Sequence, residues 1–177
     1  MKVTIECPDG YKLEKTKDGY KLVPSSITDK IKSFTDACMQ LKITPYEGVQ
    51  RGTDESTVFV NQLRTIVDAL NEGYQFDLFK DSVYFPIVYV DVYTSGDKVV
   101  GKFRYKDKVY GIYDSYSYNS CGVLDYSDDY RTSQNISIDM TLACKSEEIA
   151  TYVATKFGRL LFMASCSNYL KDIEWLD

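Results

Sequence analysis

Between residues 56 and 73 the chain carries a pattern that only a helix can use. Val60, Leu63, Ile66, Val67 and Leu70 recur at three- and four-residue spacing, which gathers them on one side of a helix but splits them between the faces of a strand. Ser56 or Thr57 opens the segment and Asn71-Glu72-Gly73 closes it, Gly73 being free to take a left-handed cap. Such a helix needs a second apolar surface to lie on, and its neighbours in sequence change period to supply one. Tyr11-Lys12-Leu13-Glu14 and Tyr20-Lys21-Leu22-Val23 alternate around Asp18-Gly19, which predicts a hairpin closed by Pro24. Residues 2–7 alternate too, with Val3 and Ile5 on one face, and Pro8-Asp9-Gly10 turns the chain after them. Further strands are expected at about 83–93 and 98–105, joined through Ser95-Gly96-Asp97, and at about 136–143.

Two more helices carry start signals. Ser33-Phe34-Thr35-Asp36 offers an N-cap with an acid three positions on, followed by an apolar stripe of Phe34, Ala37, Cys38 and Leu41 that Pro45 ends. Residues 45–55 read as a loop, and Tyr74, Phe76 and Phe79 as a structured connection. Ser146 caps a last helix whose Glu147 and Glu148 suit its positive end, with Ile149, Val153, Phe157, Leu160 and Leu161 on one side. Residues 113–135, rich in Tyr, Ser and Asp, follow no period. The strands come in clusters and do not alternate regularly with helices. The expectation is therefore an α+β fold, a mainly antiparallel sheet packed by about three helices. The 177 residues, without repeats or a long linker, predict a single domain over 1–177.

The chain has no histidine. That removes Ser-His-Asp and Cys-His catalysis, imidazole zinc sites and the commonest general base near neutral pH. Its five cysteines, Cys7, Cys38, Cys121, Cys144 and Cys166, are odd in number and form no CxxC pair, which predicts free thiols in a reducing compartment. Cys38 and Cys166 on helical faces and Cys144 at a strand end read as small core residues. The alternating N-terminus predicts no signal peptide, and no apolar run reaches the roughly 18–20 residues of a membrane span. A cytoplasmic location and no membrane association are expected. Net charge is −5, with 9 Lys/Arg against 7 Asp/Glu in residues 1–52 and 12 against 19 in the rest. An acidic balance of this kind disfavours nonspecific duplex-DNA binding.

Four segments carry a family resemblance: Ile5-Glu6-Cys7-Pro8-Asp9-Gly10-Tyr11; the run from Ile27 to Cys38; Ala69-Leu70-Asn71-Glu72-Gly73-Tyr74 with Tyr84-Phe85-Pro86; and the run from Leu142 to Ala150 with Phe157. In order and spacing the chain resembles small uncharacterised proteins of gut Bacteroidales and of their phages and prophages, including crAss-like phages. The likeness covers most of the chain, least securely residues 113–135. Where that family often carries tryptophan, this chain has Tyr74 and Phe79. The resemblance implies a phage or mobile-element setting, and it carries no catalytic residues over.

Three constellations remain. Tyr110, Tyr113, Tyr116, Tyr118, Tyr126 and Tyr130 sit among Asp114, Asp125, Asp128 and Asp129; tyrosine's rigid ring and polar tip suit protein interfaces. Lys102, Arg104 and Lys106 share one face of a strand, with Phe103 and Tyr105 on the other, a pattern that fits a solvated sheet face or a grip on single-stranded nucleic acid. Asp125, Asp128 and Asp129 lack the spacing and central glycine of an EF-hand, so neither a metal nor a cofactor is expected. The terminal Ile173-Glu174-Trp175-Leu176-Asp177 is expected to pack back on the domain. The leading expectation is a non-enzymatic protein-interaction protein, partner unknown, working through the six tyrosines. The alternatives are a single-stranded nucleic-acid accessory protein using Lys102, Arg104 and Lys106, and a virion structural component.

Overall fold

A computed structural model of the chain describes residues 7–8, 10–17, 19–46, 55–76, 81, 83–115, 142–166 and 171–177. Most of the expected strand at 2–7, most of the loop at 45–55, Phe79 of the expected connection and most of the strand at 136–143 lie outside the described residues. Within them the order is β1 (Tyr11–Thr16), β2 (Gly19–Pro24), α1 (Ile27–Lys30), α2 (Phe34–Leu41), α3 (Glu55–Asn71), β3 (Ile87–Val92), β4 (Gly101–Tyr105), β5 (Lys108–Ser115), α4 (Glu147–Cys166) and β6 (Ile173–Leu176). Strands β1 and β2 pair as a hairpin, and the other four form an antiparallel sheet in the order β3-β5-β4-β6. The fold is α+β.

The helix starts obey their caps. Ser33 Oγ accepts from the Asp36 N–H at 3.2 Å and donates to Asp36 Oδ2 at 2.8 Å. These bonds, the Ser33 hydroxyl first, hold the Asp36 carboxyl below its ordinary value. Helix α2 stops before Pro45: Lys42 takes a left-handed conformation (φ 58°), and the Ile43 N–H bonds back to the Cys38 carbonyl at 3.0 Å. At the end of α3 both Glu72 (φ 54°) and Gly73 (φ 75°) are left-handed. The short α1, which periodicity did not reveal, rests on Asp29, whose Oδ2 accepts from the Ser26 N–H and hydroxyl, each at 2.9 Å.

Helix α4 packs on the sheet through β3 and β5 and on α3, which in turn packs on α2. Its close approach to the sheet depends on Gly158, where a Cβ would stand 2.6 Å from Val100 Cγ2 and 3.2 Å from Val88 Cγ1. The helix bends one residue earlier, at Phe157 (φ −117°, ψ 16°). Ile31, Leu63, Ile66, Val67, Leu70, Val88, Phe103, Ile112, Ile149, Val153, Leu161 and Phe162 are buried in one core. Asn71, buried at the end of α3, reaches across it: its Nδ2 donates to the Ala143 carbonyl at 2.8 Å and its Oδ1 accepts from the Lys145 N–H at 3.0 Å. Cys144, between those two, exchanges backbone bonds with Tyr84.

Two strands went unforeseen, for physical reasons. Strand β5 follows β4 through a two-residue turn, Lys106-Asp107, with Tyr105 opposite Lys108. Such turns usually announce themselves with Asn-Gly or Asp-Gly, whereas here Lys106 itself takes the positive φ of 52°. Strand β6 pairs with β4, placing Trp175 opposite Phe103, so the terminal segment does pack back on the domain. The expected connection at Ser95-Gly96-Asp97 is a turn, the Asp97 N–H bonding to the Thr94 carbonyl at 3.1 Å, and the strand expected at 98–105 begins only at Gly101.

Candidate interaction surface

Residues directly opposite in neighbouring antiparallel strands point to the same side of a sheet. The registers Phe103↔Tyr110, Gly101↔Ile112, Val88↔Asp114 and Phe103↔Trp175 therefore define the side that meets α4. Phe103 lies 5.0 Å from the ring of Phe162 on that helix, and Trp175 5.9 Å. The registers Tyr89↔Tyr113, Asp91↔Gly111, Lys102↔Gly111 and Arg104↔Glu174 define the opposite, outer side.

The outer side holds an ordered aromatic pair. Tyr89 and Tyr113 stack at 5.1 Å with planes 14° apart, and Tyr89 remains 50% exposed. The Tyr113 hydroxyl donates to Asp97 Oδ2 at 2.7 Å, and the same oxygen accepts from the Thr94 N–H at 3.1 Å. The accepting carboxylate pushes the Tyr113 phenol up to about 12, since losing the proton would place two anions side by side. Gly111 makes the ring position possible. A Cβ there would stand 2.8 Å from both the Tyr113 ring and Val99 Cγ1. Beside the pair, Lys102 Nζ lies 5.5 Å from the Tyr93 ring, and Arg104 Nη1 bridges Glu174 Oε2 at 2.6 Å.

The sequence candidates separate onto different surfaces. Tyr113 belongs to the outer side. Tyr110 lies on the helix side, where it stacks on Phe103 at 5.5 Å; the odd spacing between them puts it and Tyr113 on opposite sides of the sheet. Tyr116, Tyr118, Tyr126 and Tyr130 lie outside the described residues, as do Asp125, Asp128, Asp129 and Cys121. Lys102 and Arg104 do share the outer face, but Lys106 does not continue their row: it sits in the turn, its Nζ 5.1 Å from the Tyr105 ring. Sequence reasoning set the cations apart from Phe103 and Tyr105 and missed that neighbouring strands bring Tyr89 and Tyr113 to the cations' side. The alternation Tyr89-Val90-Asp91-Val92 is the signal that could have found Tyr89.

No other described grouping assembles chemistry. A cleft of about 440 Å3 between α2 and the end of α3 is lined by Leu41, Arg64, Asp68, Asn71, Tyr74 and Phe76 among others. Burial raises the Asp68 carboxyl while Arg64 opposes the rise, and the Asn71 amide is committed to the backbone of residues 143 and 145. The thiols of Cys38, Cys144 and Cys166 are all raised by burial, Cys144 to about 12, which keeps them protonated and unreactive near neutral pH. Among the described residues no three of His, Cys, Asp and Glu gather as a metal would need, and no helix is long and apolar enough to cross a membrane. No family model, curated protein or solved structure matches the chain.

Proposed function

We propose that this is a non-enzymatic interaction protein of a Bacteroidales phage or mobile element that takes a protein partner on the outer side of its sheet, working in the host cytoplasm or within the virion. The observation that carries the reading is the stacked Tyr89–Tyr113 pair. A stacked aromatic pair, its Tyr113 hydroxyl held by Asp97 and its Tyr89 ring half-exposed, loses little conformational entropy when a partner covers it. The same outer side carries cations and carboxylates of both signs, Lys102, Arg104, Asp91 and Glu174, the mixed polar character that protein interfaces show beyond their centre.

The second reading, a single-stranded nucleic-acid accessory protein, draws on Lys102 and Arg104 sharing a side with two stacked tyrosines. Arg104 is already paired with Glu174, and Asp91 and Asp97 add negative charge where phosphates would run. The protein-partner reading is favoured on that ground. Capture from host and infected Bacteroidales cells, with wild-type and Tyr89→Ala protein as bait, separates them. A protein recovered by wild type and depleted with the variant supports the first reading. Oligonucleotide binding that falls steeply with salt, with equal protein recovery on both baits, replaces it with the second.

A further inference from the structure

We infer that the segment a protein partner lays on this sheet is basic, and that an arginine of the partner stacks its guanidinium on the Tyr89 ring while donating to the Asp91 carboxylate. The inference rests on the protein-partner reading above and adds the chemistry of the contact. Strand β3 and the residue after it carry Tyr89, Asp91 and Tyr93 at alternate positions, a row on the outer side. At one end of this row the chain supplies a cation itself: Lys102 Nζ lies 5.5 Å from the Tyr93 ring. At the other end Tyr89 keeps half of its surface in solvent. Asp91 stands between the two rings. Its Oδ1 accepts from the Val92 N–H at 2.7 Å, and a carboxylate has capacity for further donors.

The charge around the pair is negative. Asp91 faces Gly111 across the strands, and the Tyr113 ring lies over that glycine, which puts the ring beside Asp91. Asp97 holds the hydroxyl of the same ring at 2.7 Å. The Tyr113 phenol registers both acids: the bond to Asp97 raises it most, followed by burial and then by the charges of Asp97 and Asp91. The cations of the outer side belong to β4, beyond β5, where Lys102 lies on Tyr93 and Arg104 pairs with Glu174. The face is thus negative along β3 and balanced farther across. An aromatic face attracts a cation, and a carboxylate beside it adds to the attraction. A guanidinium fits better than an ammonium, because it is flat, weakly hydrated and donates from its edges while its plane lies on a ring.

A hexa-arginine peptide is the probe, titrated calorimetrically into the full chain. Saturable binding is expected, weakened about fivefold by Tyr89→Leu and by Asp91→Asn. Asp91→Asn keeps an acceptor for the Val92 N–H, so its far-UV circular dichroism is expected to match wild type, and it decides the matter where Tyr89→Leu does not fold. Hexa-citrulline, which keeps the planar shape and loses the charge, is expected not to bind. Glu148→Gln, an exposed acid at the start of α4 on the helix side, removes the same charge and is expected to bind as wild type. Wild type that ignores hexa-arginine, equal binding of hexa-citrulline, an Asp91→Asn constant within about twofold of wild type, or an equal loss with Glu148→Gln overturns the inference. The capture experiment is read separately. A protein caught through Tyr89 but indifferent to Asp91→Asn removes this inference and leaves the partner reading in place.

Discussion

At the residue scale, Asn71 and Tyr113 have fixed partners, and their bonds have measurable consequences. Asn71 closes two backbone groups of the segment 143–145, the buried Ala143 carbonyl and the part-buried Lys145 N–H. Asn71→Ala removes both bonds and is expected to lower stability by about 1–3 kcal/mol in urea unfolding. Asn71 was legible as part of a helix stop, but not as a clamp. Its partners lie about seventy residues away in sequence, and single-sequence periodicity is blind to such pairings. Tyr113 offers a spectroscopic check. Its folded phenol titrates at about 12 against an ordinary 10. The stability it lends is complete below 10 and fades as pH rises toward 12. Tyr113→Phe is expected to take one phenol out of the late part of an ultraviolet tyrosinate titration, where Tyr152, raised by burial, remains, and an undiminished late part would place that proton elsewhere.

At the element scale, the hairpin and α4 show how much local sequence decides. Alternation around Asp18-Gly19 revealed β1 and β2, and the caps Ser33 and Ser146 revealed where α2 and α4 begin, because each signal is confined to a few neighbouring residues. Strands β5 and β6 were hidden because a Lys-Asp turn and a four-residue terminal segment carry almost no local signature, and only pairing, of β5 with β3 and β4 and of β6 with β4, makes them strands. Two predictions belong here. The Asp29 carboxyl is held at about 2, Lys12 being the largest cause and the Ser26 backbone next. A lowered folded value means the tether is intact above about 4 and lost as pH falls through 2, so amides of β1 and β2 are expected to lose hydrogen-exchange protection over that window before the rest of the fold. Gly158→Val forces the helix off Val100 and Val88, and is expected to cost about 1–3 kcal/mol in thermal or urea unfolding.

For the whole molecule, the account rests on an asymmetry of the four-stranded sheet. One side is spent on α4, with Phe103, Ile112 and Trp175 turned inward. The other presents a stacked tyrosine pair and, on the same side, charges of both signs. The α+β class could be read from clustered strands and a strongly periodic α3; the site could not, because tyrosine is common along this chain and only the strand register decides which rings meet. The most direct test is the dissociation constant of the captured partner for wild-type protein and for Tyr89→Ala, with circular dichroism confirming an unchanged fold. The account predicts that losing this ring weakens binding by about thirtyfold, the roughly 2 kcal/mol of an aromatic hot spot. A constant within about twofold of wild type, a change of at most RT ln 2, would contradict it.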